Sequence, residues 1–93
     1  MGDYKKVDFG GDISDEMLDL AFDNSYRIFI GEATFKEIVK DNDDGVVVLA
    51  HDPGEGFTDE NLEDIILYYE YVEYYERCGV LKDLIKERSK KKG

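Results

Sequence analysis

The stretch "LEDIILYYEYVEYYERCGVLKDLI", residues 62–85, decides the C-terminal half of the fold. Its apolar side chains recur at helical spacing, and they form two neighbouring stripes. The first stripe contains Leu62, Ile65, Ile66 and Tyr69, and the second contains Tyr68, Tyr71, Val72 and Tyr75. One apolar stripe is enough to dock a surface helix. A helix with two stripes is therefore predicted to have contacts on two sides.

A third stripe follows in the second half of the same stretch: Tyr74, Cys78, Leu81 and Ile85. The simplest architecture is two antiparallel helices, residues 61–72 and 75–88, with a tight turn near Glu73-Tyr74. Tyr75 is predicted to pack between the helices, and Cys78 to be a small buried apolar residue. The small pair Cys78-Gly79 predicts a close approach of the helices, which would explain a glycine inside a helix.

The order of these residues resembles the UVR motif, a short helical hairpin of bacterial excision-repair proteins and certain protease regulators. Tyr75-Glu76 matches the aromatic-Glu pair that opens the family's second helix, Cys78-Gly79 matches its small pair, and "LKDLI" matches the run that closes it. Glu70, Gly79 and Lys82 depart from the family's usual residues, which are a small residue, an alanine and an arginine at these positions. The resemblance covers residues 62–85 and implies protein–protein contact without chemistry.

The N-terminal half reads as a small body of strands and short helices. Residues 4–9 and 26–30 alternate like strands. Between them, Ser14 is a predicted N-cap, with a helix that ends at Asn24 and Ser25. Residues 32–41 fit either a helix or a strand, and a helix is favoured.

A continuous β-branched run predicts a further strand within residues 45–51, buried on both faces. Residues 52–56 are a loop, and Thr58 is the N-cap of the next helix. We therefore predict the α+β class: a small sheet with two short helices, followed by a C-terminal antiparallel helical hairpin. The predicted division is a small body, residues 1–56, and a hairpin with a basic tail, residues 57–93, in one compact domain.

Charge is large and uneven along the 93 residues, whose net charge is −11. Residues 1–64 carry a balance of −13, whereas residues 77–93 carry +5. A strongly negative body repels phosphate backbones, so we expect no direct binding of nucleic acid and a preference for basic partners. One cysteine cannot form an internal disulfide, and no apolar run is long enough to span a bilayer. These features predict a cytoplasmic protein that does not bind membranes.

None of the candidate catalytic, metal-binding or phosphate-binding motifs contains all the residues that its chemistry requires. His51-Asp52 could pose as a base and its orienting carboxylate, but a nucleophile within reach is not predicted, because Ser14 and Ser25 read as a helix cap and a helix stop. "DNDDG", residues 41–45, lacks the ligand spacing of a calcium loop. Residues 54–56 lack the lysine of a phosphate-binding loop. We therefore expect no catalytic residues, no metal, no cofactor and no enzymatic activity.

The favoured function is a non-enzymatic protein–protein interaction module, an adaptor or regulator that acts through the hairpin. The predicted partner-binding residues are Leu67, Tyr68, Tyr71 and Tyr74, with Tyr68 and Tyr71 expected to remain partly exposed. Tyrosine suits such a position, because its ring gives contact area while its hydroxyl tolerates water. The predicted partner is another protein, which could have a basic surface. A second copy of this chain is the other option, with the hairpin forming a homodimer.

The alternative function is an acidic inhibitor that mimics nucleic acid and blocks a nucleic-acid-binding or defence enzyme. The chain is similar in character to small phage-encoded accessory proteins. Nine carboxylates lie between residues 41 and 64, and the predicted acidic face contains Asp43, Asp44, Glu55, Asp59 and Glu60. The same carboxylates are also typical of a merely solvated surface. Binding by such a mimic should weaken steeply as salt rises.

Overall fold

The computed structural model describes residues 4–7, 13–41 and 46–92, and it divides the chain into two compact units, Met1–Phe57 and Thr58–Gly93. The first unit contains strands β1 (Tyr4–Lys6) and β2 (Val47–Leu49) and helices α1 (Asp15–Phe29) and α2 (Phe35–Asp41). The second contains helices α3 (Asp59–Tyr71) and α4 (Tyr75–Lys92). The predicted mixture of helices with a small sheet is confirmed.

The sheet of the first unit has two parallel strands, with Tyr4 opposite Val47 and Lys6 opposite Leu49. Parallel neighbours need a long crossover connection, and here the connection carries both α1 and α2. The α+β class is built around antiparallel sheets, so the parallel pairing departs from the predicted class. β1 is also shorter than predicted, and Phe9 lies outside the described residues.

β2 forms the centre of the first unit's core. Val47 and Leu49 pack in one cluster with Ala33 and Ile38, and Val48 packs on the other face in a cluster that includes Ala21. All three strand residues are buried. The prediction that this strand is buried on both faces is confirmed.

The predicted helix end at Asn24 and Ser25 is wrong, and so is the predicted strand over residues 26–30. α1 continues to Phe29. The Nδ2 group of Asn24 donates to the carbonyl of Val48 at 3.1 Å, and the Ser25 Oγ accepts from the N–H of Ala50 at 2.7 Å. Because these side chains bond β2 and the residue after it, they do not compete with the helix backbone, and the helix is not interrupted.

Helix starts follow the predicted capping chemistry. Ser14 caps α1 by accepting from the N–H of Met17, and Thr58 caps α3 in a reciprocal capping box with Asn61. α2 has a similar start, in which Thr34 and Glu37 each accept from the other's backbone N–H at 3.2 Å. The helix favoured for residues 32–41 is therefore confirmed over the strand.

α3 and α4 contact each other and are joined by a three-residue turn, residues 72–74. Glu73 occupies the left-handed region at φ 62°. Its N–H bonds the carbonyl of Glu70, and the N–H of Tyr74 bonds the carbonyl of Tyr69 at 2.7 Å. This is the Schellman arrangement, and the Tyr69 and Tyr74 rings complete it with an edge-to-face contact at 5.8 Å. The turn lies where the sequence predicts it.

The interior of the second unit confirms one prediction and overturns two. Cys78 is buried, and its thiol donates to the carbonyl of Ile66 at 3.6 Å. Tyr75, however, is 62% exposed, because at 100° per residue it lies about 120° around α4 from the fully buried Leu81. A Cβ added at Gly79 would meet no atom within 4 Å. Close helix packing therefore does not explain this glycine.

Candidate functional site

Two features of the described residues could carry function: a buried serine–histidine pair in the first unit and an exposed tyrosine-rich surface in the second. In the pair, the Ser25 Oγ lies 2.7 Å from the Nδ1 of His51. Ser25 belongs to α1, and His51 lies two positions after the end of β2. Sequence reasoning missed this contact because it took Ser25 for a helix stop. Nothing local connects two residues 26 positions apart.

Ser25 and Phe57 enclose the His51 imidazole, and burial determines its charge. The serine oxygen already accepts from the N–H of Ala50, and its hydroxyl hydrogen is then available to donate to His51 Nδ1. The imidazole stacks on the Phe57 ring at a centroid distance of 3.9 Å and an angle of 18°. Burial lowers the pKa of His51 to about 4; the nearby Lys6 charge also lowers it, while Asp52 opposes the shift. The ring is therefore neutral at pH 7, and the tautomer decides whether Nδ1 accepts from the Ser25 hydroxyl or donates to it.

Asp52 serves its own loop and does not orient His51. Its Oδ1 accepts from the N–H of Gly54 at 2.8 Å. This bond and one from the Tyr4 hydroxyl hold the pKa of Asp52 below its usual value, although partial desolvation opposes them. The same carboxylate raises the pKa of Tyr4. His51 and Asp52, which the sequence offered as a possible base and orienting carboxylate, thus belong to two different hydrogen-bond networks.

The serine–histidine pair ties α1 to the end of β2 and is poorly suited to react with a substrate. Ser25 has no exposed surface and His51 only 1%. A nucleophile and its base need access to a reacting carbon as well as to each other. Burial removes that access while it strengthens the hydrogen bonds, so the arrangement serves to hold the first unit together.

The exposed feature lies on α3 and the turn that follows it. Leu67 is 56% exposed and Tyr71 is 76% exposed. These two residues are four positions apart, so they are neighbours on one face of the helix. Tyr74, in the turn, is 46% exposed. Three of the four predicted partner-binding residues are therefore accessible.

Tyr68, the fourth predicted partner-binding residue, is 4% exposed, so the expectation that it remains partly exposed is wrong. Its side chain is buried together with the apolar stripe of α3. Its ring makes an edge-to-face contact with the Tyr69 ring, at a centroid distance of 5.3 Å. Val72 and Tyr75 are exposed instead. We call the exposed set the tyrosine surface: Leu67, Tyr71, Val72, Tyr74 and Tyr75.

Arg77 braces one end of the tyrosine surface. Its Nη1 donates to the hydroxyl of Tyr69 at 2.8 Å. Its guanidinium carbon also lies 4.8 Å from the centroid of the Tyr74 ring and 5.3 Å from that of Tyr69. Cation–π contacts of this length are attractive. Tyr74 consequently contacts both the buried ring of Tyr69 and the Arg77 side chain, and these contacts restrict the orientation of its ring.

Carboxylates surround the apolar pair on α3. Glu63 and Glu70 are both exposed, and each lies within one helical turn of Leu67. α3 contains five acidic residues and no basic one. The α3 side of the tyrosine surface therefore combines apolar contact area with a negative margin, while Arg77 lies at the Tyr74 end.

The residues of the predicted acidic face are only partly accounted for. Glu55, Asp59 and Glu60 are exposed, while Asp43 and Asp44 lie outside the described residues, as does most of the calcium-like stretch. Among the described residues, no group of three or more potential metal ligands comes together. Over the same part of the chain, none of the helices combines the length and the apolar character that crossing a membrane requires.

No family model, curated protein or solved structure matches this chain. The resemblance to the UVR motif therefore remains a prediction from residues 62–85.

Proposed function

We propose that this protein is a non-enzymatic protein–protein interaction module, and that it binds its partner through the tyrosine surface. In this proposal α3 and α4 form an antiparallel, UVR-like hairpin that presents the surface, and the chain acts as an adaptor or regulator. The role of the first unit is to supply a stable, acidic body.

The observation that supports the proposal most directly is the exposure of Leu67 and Tyr71 on a helix that already buries an apolar face. Leu62, Ile65 and Tyr69 are buried, so α3 has enough apolar surface to fold without these two. Large exposed apolar side chains that sit close together are typical of interaction sites. Tyrosine in particular is enriched among residues that dominate binding energy.

The charges around the surface favour a basic partner. An acidic margin attracts lysine and arginine and speeds their approach. The apolar centre then supplies most of the affinity, because rim charges remain solvated and contribute little. A partner segment with apolar side chains flanked by basic ones fits both features.

The test starts from the full chain and the partner it captures in its native host. The captured protein is purified, and its affinity for the wild-type chain is compared with that for a Leu67→Ala, Tyr71→Ala double variant. We expect the double variant to keep its melting temperature and to lose about 2 kcal/mol of binding free energy or more, which is roughly thirtyfold in Kd. Met17→Ala, at an exposed apolar residue of α1, is the matched control and should bind normally.

The acidic-inhibitor alternative gives the opposite pattern in the same assay. Reversing Glu55, Asp59 and Glu60 to lysine would then abolish binding, the affinity would fall steeply with salt, and the Leu67→Ala, Tyr71→Ala variant would bind as the wild type does. Self-association through the hairpin is distinguished by sedimentation of the chain alone, with and without the same two substitutions.

A further inference from the structure

The first unit contains a cavity of about 200 Å³ bounded by α1, α2 and β2. Its lining side chains come from one face of α1, from α2 and from the middle of β2. They are Leu20, Asn24, Arg27, Ile38, Asp41 and Val48. All six lining residues belong to the first unit, whereas the residues of the tyrosine surface belong to the second.

Half of the lining is apolar, and much of it belongs to the core. Ile38 and Val48 are both buried, one in each of the two core clusters. Leu20 is an exposed residue of α1 that completes the apolar side. Because core side chains hold fixed positions, this side of the cavity offers a preformed surface to a small aliphatic group.

The other half of the lining carries two opposite charges. Arg27 is the basic residue of an otherwise acidic α1, and Asp41 is the last residue of α2. Within the described part of the chain no ion pair joins them, and the contact of Arg27 is with Glu32, at 3.8 Å on the surface. Asn24 stands beside them, with its Nδ2 held by the carbonyl of Val48.

We propose that this cavity binds a small zwitterion, namely a free α-amino acid with an aliphatic side chain. The guanidinium of Arg27 takes the carboxylate, for which its planar donor pair is suited. The carboxylate of Asp41 takes the ammonium group, and the apolar side receives the aliphatic group. One ligand then satisfies both charges and covers the apolar wall.

Size and net charge favour a zwitterion over other ligands. Pockets for drug-sized ligands measure roughly 300–1,000 Å³, so a pocket of about 200 Å³ matches a smaller molecule, of amino-acid size. A chain with net charge −11 repels a simple anion, and a simple cation would meet Arg27. A molecule with both charges and no net charge avoids both penalties.

The experiment is a titration of the ¹⁵N-labelled full chain followed by amide chemical shifts. The three probes are L-leucine, 4-methylpentanoate, which lacks the ammonium group, and 3-methylbutylamine, which lacks the carboxylate. We expect leucine to cause saturable shifts in amides of α1 and α2 next to the cavity. Each analogue should bind about tenfold more weakly or worse, since a charged hydrogen-bonding group has been removed.

Variants separate charge recognition from folding. Arg27→Gln should remove the preference for leucine over 3-methylbutylamine, which lacks the carboxylate, and Arg27→Lys should retain part of that preference. Asp41→Asn should remove the preference for leucine over 4-methylpentanoate, which lacks the ammonium group. Glu32→Gln is the control, because Glu32 contacts Arg27 but does not line the cavity. The proposal is overturned if leucine gives no saturable shift up to about 10 mM, tenfold above a millimolar Kd, or if the three probes bind equally. Neither result bears on the proposed function of the tyrosine surface, which is tested separately.

Discussion

The buried histidine makes a sharp prediction about acid stability. His51 has a pKa of about 4 in the folded chain, whereas an unfolded histidine titrates near pH 6.5. Since the unfolded chain takes up the proton more readily, acid favours unfolding. The contribution of neutral His51 to stability is fully present above about pH 6.5 and is lost as the pH falls from there towards 4. Its full size is about 3 kcal/mol, and about 2 kcal/mol of it should disappear between pH 7 and pH 5.

Many carboxylates titrate over the lower part of this range, so the wild-type pH profile alone cannot isolate His51. The required measurement is the free energy of unfolding in urea, from about pH 7.5 to 4.5, for the wild type and for His51→Gln. Glutamine remains neutral and can still bond Ser25. The carboxylates are common to both chains, so the difference between the profiles reports the histidine. A difference that does not change with pH would refute the reasoning, and so would an NMR titration that places the pKa of His51 at 6.5 or above.

Three further predictions concern the second unit, each tested by urea or thermal unfolding. Glu73→Gly should stabilise the chain by about 0.5–1 kcal/mol, since glycine adopts the left-handed conformation without the strain that a side chain adds; destabilisation would mean that the Glu73 side chain makes a contact worth more than that strain. Gly79→Ala should also stabilise, by up to about 1 kcal/mol, because the added methyl meets nothing and alanine favours the helix; a loss would restore the close-packing explanation. Tyr69→Ala should cost about 3–5 kcal/mol, whereas Tyr75→Ala should stay within about 0.5 kcal/mol, and equal losses would contradict the burial of one and the exposure of the other.

Local chemistry explains which elements could be predicted from the sequence. Ser14 and Thr58 cap their helices with side chains that reach only three residues along the chain, so their effect is visible in a short window. The apolar run of β2 similarly predicts burial on both faces. Such features depend on neighbours in sequence, and the rest of the fold does not change them.

The misread segment shows the opposite case. Asn24 and Ser25 favour helix ends because their side chains usually bond nearby backbone. Here their partners are Val48 and Ala50, 24 and 25 residues away. A local sequence pattern cannot predict partners so far away in sequence. The contact between Ser25 and His51 was missed for the same reason. The parallel pairing could not be predicted for a related reason, because the sequences of two short strands do not indicate their relative direction.

The error at Tyr75 has a different origin, which is a register ambiguity of one residue at the turn. A glycine usually marks the left-handed position that ends a helix, but this position is occupied by Glu73. Without that mark, Tyr74 and Tyr75 are equally good candidates to fold back against the preceding helix. The turn chemistry decides between them, because the Schellman arrangement brings the residue after the left-handed position against the residue five places earlier. That places Tyr74 on Tyr69 and leaves Tyr75 at the surface. The same step gives the tyrosine surface its composition, since the ring expected inside the helix pair is one of those exposed on that surface.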